Sequence, residues 1–81
     1  MTMGFDEAPT TKQIRYMDAL LGLEERRALD AVVFNRYDLP SFADVPLNKK
    51  LVSVIIDWAK GEVGDGLLIW ALDKSMGKKE G

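Results

Sequence analysis

The sequence predicts an all-α fold, a compact bundle of about four short helices, and three observations carry that expectation. Apolar side chains recur at three- and four-residue spacings in four separate stretches. Good helix-starting residues, Thr10, Asn48 and Asp65, stand ahead of three of them. No stretch offers a convincing strand. The 81 residues are read as one domain, with residues 1–9 and 77–81 as flexible ends.

The arm, residues 1–9, contains Gly4 and Pro9, and Pro9 disfavours helix at Ala8. Phe5 is the one arm residue that could dock into a core. Thr10 followed by Gln13 fits a capping box, in which each side chain satisfies the other's backbone N–H. The first helix is expected over residues 11–21, with Ile14, Met17, Leu20 and Leu21 on one face and Lys12, Arg15 and Asp18 opposite. Gly22 reads as its stop, since glycine accepts the left-handed conformation that ends helices. The second helix is expected over residues 24–36, with a stripe of Leu29, Val32, Val33 and Tyr37. Glu24, Glu25, Arg26, Arg27 and Asp30 read as a solvated face, the two glutamates suiting the positive end of the helix dipole.

Residues 38–47 form a connector carrying Pro40 and Pro46, and its Leu39, Phe42, Val45 and Leu47 place it against the core with one helical turn near Phe42. Asn48 caps a third helix over residues 49–60. Its apolar residues Leu51, Val52, Val54, Ile55, Ile56, Trp58 and Ala59 cover about 200° of the wheel, wider than one neighbour can bury. This helix should therefore be central. After a glycine-rich turn Asp65 reads as the cap of a fourth helix over residues 66–76, with Leu68, Ile69, Leu72 and Met76 inward.

The chemistry implied is sparse. The chain has no cysteine and no histidine, which removes thiol nucleophiles, disulfides, zinc fingers and the usual general base. The absence of cysteine favours a reducing, cytoplasmic compartment. Ser41, Ser53 and Ser75 have no evident base, and Asp57, beside Trp58, reads as a solvated acid. Gly61, Gly64 and Gly66 are not followed by the Gly-Lys-Ser/Thr ending of a phosphate loop. The expectation is no enzyme, no cofactor and no metal. No apolar run approaches the length of a bilayer span, and the first seven residues lack the pattern of a signal peptide.

What remains is contact. Residues 67–72 are six apolar residues in a row, and one helix face cannot bury them all. Trp70 is expected to project away from the core with Leu67 and Lys74 as a surface for a protein partner or a second copy, since tryptophan is enriched among interface anchors. The alternative is that the N-terminal arm or the connector covers it. A second candidate surface is basic: Lys49, Lys50 and Lys60, joined by Lys12 and Arg15 if the first and third helices adjoin. It would suit nucleic acid, although the net charge is −2 and Asp57 and Asp18 interrupt it.

The stretch Thr11-Lys12-Gln13-Ile14-Arg15-Tyr16-Met17 with Leu20 resembles the Thr-x-Lys-Gln-x-x-Tyr-(apolar)-x-x-Leu opening of a small helical module of phage and bacterial proteins. Residues 47–58, Leu-Asn-Lys-Lys-Leu-Val-Ser-Val-Ile-Ile-Asp-Trp, are similar to its second helix, with Asn48 in the capping place of a threonine. The resemblance covers residues 10–60. It implies a non-enzymatic accessory protein, because the module occurs as short phage proteins and as an appendage on phage recombination or single-strand-annealing proteins.

Overall fold

The computed structural model describes residues 4–77, and its elements run α1 Thr11–Leu20, α2 Leu23–Tyr37, a 3-10 turn Phe42–Asp44, α3 Lys49–Ala59 and α4 Asp65–Ser75. The described residues are helical and irregular, with no strand among them. This is the small all-α bundle that the periodicity predicts.

Two of the starts form as the caps foretell. The Gln13 N–H donates to Thr10 Oγ1 at 3.0 Å and the Thr10 N–H donates to Gln13 Oε1 at 3.1 Å, which closes the capping box. Asn48 Oδ1 accepts from the Leu51 N–H at 2.8 Å. Asn48 is buried, and its amide donates to Ser75 Oγ at 2.8 Å, so the cap of α3 also ties down the end of α4.

The core gathers around α3, which buries Leu51, Val52, Val54, Ile55 and Ile56 and packs directly on α1 and α4. Met17 and Leu21 reach it from the first helix and its cap, Leu29 and Val33 from α2, Val45 from the connector, and Leu68, Ala71 and Leu72 from α4. Seven large side chains, Ile55 and Leu51 among them, are shut from solvent.

The structure corrects four local expectations. Gly22 is not a left-handed stop: its φ of −81° and ψ of −176° are extended, and it is the N-cap of α2. Its N–H donates to Glu25 Oε1 at 2.8 Å, half of a capping box made without a cap side chain. Asp65 does not cap α4. It is the first helical residue, and its carboxylate accepts from the Trp58 indole N–H at 2.8 Å. Asp30 is not simply solvated, since its Oδ1 accepts from the Phe42 N–H at 2.8 Å and the Ser41 hydroxyl at 3.3 Å and so holds the connector on α2. On α4 the inward arc is Leu68, Ala71 and Leu72, while Ile69 is only half-buried and Trp70, on the far side of the helix from that arc, is half-buried as well.

The arm is the fifth difference. Residues 4–9, expected to lie loose, dock on the start of α3. The Lys49 N–H donates to the Glu7 carbonyl at 2.8 Å and the Lys50 N–H to the Gly4 carbonyl at 3.2 Å. These N–H groups belong to the first turn of a helix, which has no partners of its own. Gly4 is suited to this place because its φ is +90° and a Cβ would sit 3.2 Å from the Lys50 nitrogen. The outer tips of the expected flexible ends, residues 1–3 and 78–81, lie outside the described residues.

Candidate functional site

Three surfaces compete for a function. The first is that of Trp70, Leu67 and Lys74. The rings of Phe5 and Trp70 meet in a T-shaped contact, with centroids 5.5 Å apart and planes at 74°. Trp70 is half-buried against the core, Leu67 is exposed and Lys74 is exposed. The arrangement is the one in which the N-terminal arm covers the tryptophan. Edge-to-face geometry is favourable for aromatic pairs, and the contact covers part of the indole while the arm is docked.

The second surface is basic. Because α1 packs on α3, Gln13 comes beside Lys49, Lys50 and Ser53, and with Gly4 and Glu7 they line an open hollow of about 310 Å³. Glu7 stands in that hollow, 3.9 Å from the Lys49 ammonium. Lys60 lies at the other end of α3, 3.4 Å from Glu62, whose carboxylate raises the lysine's pKa above its ordinary value. Lys12 and Arg15 are exposed on α1 and make no ion pair among the described residues. The five cations thus do not form one unopposed patch: two are answered by neighbouring carboxylates.

The third surface is the outer side of α2. Leu23 is 66% exposed and Phe34 is 58% exposed, the two most exposed of the large apolar residues. At 100° per residue Leu23, Arg27, Asp30 and Phe34 fall within an arc of about 60°, centred about 110° round the helix from the buried side of Leu29 and Val33, with Asp30 at the edge nearest the core. Sequence reading of α2 followed its buried stripe and passed over these two residues. The signal was present: two large apolar side chains eleven apart on the side of the helix that carries its charges.

Polar anchors fix how α2 sits and therefore which side faces out. Arg36 donates to both oxygens of Asp73 on α4, Nε at 3.3 Å and the terminal nitrogen at 2.6 Å, and the Tyr37 hydroxyl donates to the same carboxylate. Asp73 is buried with 8% of its surface exposed, so this fork is a charge-assisted clamp between α2 and α4. Burial first, and the bond to Asp73 second, push the Tyr37 phenol up to about 12. The Asp73 carboxylate also raises the Arg36 pKa. At the other end of α2, Arg26 Nε donates to the Leu21 carbonyl at 3.2 Å, and its guanidinium lies 3.6 Å from Asp18 on α1.

Between α1, the first half of α2 and the connector lies a cleft of about 400 Å³. Ile14, Met17, Phe42 and Val45 give it an apolar floor, and Asp18, Arg26 and Asp30 stand on its sides. These polar groups are already engaged in the structural bonds described above. Among the described residues no group of three or more Asp or Glu side chains is placed to hold a metal ion.

None of the protein-family models, curated proteins or solved structures compared with the chain matches it.

Proposed function

We propose that this chain is a non-enzymatic protein-binding module and that the outer side of α2 is its docking surface. The observation that carries this reading is the exposure of Leu23 and Phe34, 66% and 58%, on one side of a helix whose other side is clamped to the bundle. Large apolar side chains on the surface of a small domain are the features that partners bury. The resemblance of residues 10–60 to the phage module supports an accessory role, that of a small phage-encoded protein modulating or inhibiting a host system. The absence of cysteine supports the host cytoplasm as its place of action.

The test uses Leu23→Asp and Phe34→Asp. Both should keep the helical circular dichroism and the unfolding free energy of the parent to within about 0.5 kcal/mol, as surface changes do. Both should lose the proteins that the parent chain captures from host lysate. Capture unchanged in both variants would refute the assignment of the docking surface to α2.

A nucleic-acid-associated role through Lys12, Arg15, Lys49, Lys50 and Lys60 is the alternative, favoured only by the approach of α1 to the lysine-bearing turn of α3. A mobility shift that fades steeply between about 50 and 200 mM salt, and vanishes on charge reversal at Lys49 and Lys50, would support it instead.

A further inference from the structure

We infer that the outer side of α2 pairs with the same surface of a second copy of this chain, the two helices running antiparallel about a two-fold axis. The inference rests on the reading of that surface as a docking surface and adds the identity of one partner. Its basis is the order of residues along the stripe. Leu23, Arg27, Asp30 and Phe34 follow one another at spacings of four, three and four, the spacing of a coiled-coil seam. A two-fold axis between residues 28 and 29 exchanges Leu23 with Phe34 and Arg27 with Asp30. Each apolar anchor then meets an apolar anchor, and each charge meets its opposite. Pairing through one isologous surface is the commonest symmetry of oligomers.

Parallel pairing in register sets Arg27 against Arg27 and Asp30 against Asp30, so the charges select the antiparallel arrangement as well as permitting it. Arg27 is available in full and Asp30 in part. Arg27 is exposed and makes no ion pair among the described residues. Asp30 has its Oδ1 fixed by the Phe42 N–H and the Ser41 hydroxyl. Its Oδ2 makes no hydrogen bond or ion pair among the described residues, so the carboxylate is held in place with one oxygen left for Arg27 of the second copy.

The contact length is modest. Leu23 and Phe34 are separated by about 16 Å along the axis. One pair of fifteen-residue helices stands at the small end of specific interfaces, below about 1,200 Å² in total, so the dimer is weak and concentration-dependent.

The experiment is sedimentation equilibrium of the full chain from about 10 µM to about 1 mM, the range in which an interface of this size associates. The expected result is an average mass rising from that of one chain, 9.1 kDa, towards twice that value. Arg27→Asp should weaken the association about tenfold or more by setting carboxylate against carboxylate, with the helical signal unchanged. Geometry is read with Leu23→Cys and Phe34→Cys, single variants of a chain that has no cysteine of its own. Mixed and mildly oxidised, they should form mainly the disulfide joining one variant to the other. Disulfides within each variant in preference to the mixed species would overturn the antiparallel pairing. A monomer at every concentration would overturn self-association altogether. In that case the capture experiment still decides whether α2 docks some other protein.

Discussion

The two middle helices of the bundle are held in opposite ways. In α3, five of eleven residues are buried apolar side chains. In α2, fifteen residues long, only Leu29 and Val33 are buried. Apolar packing on several sides secures the shorter helix, whereas directional bonds at its two ends and middle secure the longer one: Arg26 to α1, Asp30 to the connector, and Arg36 with Tyr37 to Asp73. A helix held by polar clamps can leave a whole side unburied, and that side is available for a partner.

The largest expected effect belongs to α3. Ile55→Ala should cost about 2–5 kcal/mol in denaturant titration, because Ile55 has no exposed surface and the space left behind cannot collapse fully. A loss below one kcal/mol would break the contrast at its stronger end. Next comes the clamp. Asp73→Ala should cost about 1–3 kcal/mol, since the acceptor shared by two residues of α2 disappears from a buried place. An unchanged midpoint would show that apolar packing alone holds α2.

The clamp also has a pH signature. The folded-state phenol of Tyr37 titrates at about 12, above its ordinary value of 10.0. A raised pKa favours the protonated form in the fold, so its contribution is fully present below about pH 10 and is lost as pH rises through about 12. Tyr16→Phe leaves Tyr37 as the only tyrosine, and its ultraviolet titration should show the high midpoint. A midpoint at the ordinary tyrosine value would mean that the phenol is not held as described. The smallest effect concerns the arm. Phe5→Ala removes the contact on Trp70 and should cost about 0.5–1.5 kcal/mol, the worth of an aromatic pair. No change at all would return residues 4–9 to the loose arm expected from composition.

What could be read from the sequence was local. The Thr10–Gln13 box, the Asn48 cap, the turn at Phe42 and the wide apolar arc of α3 all depend on residues within a few positions of one another, and all are present. What could not be read was long-range. Asp73 looks like any polar residue of a helix until Arg36, thirty-seven positions away, is placed beside it. Trp70 sits opposite the expected core face of α4, and only the docking of Phe5 from the far end of the chain shows that it is covered. Gly22 was misread for another reason: with only two residues between α1 and α2, one position had to start the second helix rather than stop the first. The α2 surface escaped notice because a helix read for its buried stripe discloses nothing about which exposed residues are useful.

The most direct test of the central claim, that the outer side of α2 is the contact surface between two copies of the chain, is a dilution series of amide proton–nitrogen spectra from about 1 mM to about 50 µM, a range spanning weak association. The account predicts concentration-dependent shifts at Leu23, Arg27, Asp30, Ala31 and Phe34, with the amides of α3 and both indole N–H signals unmoved. Shifts centred on Trp70, Leu67 and Lys74, or on Lys49 and Lys50, or no shifts at any residue, would contradict it.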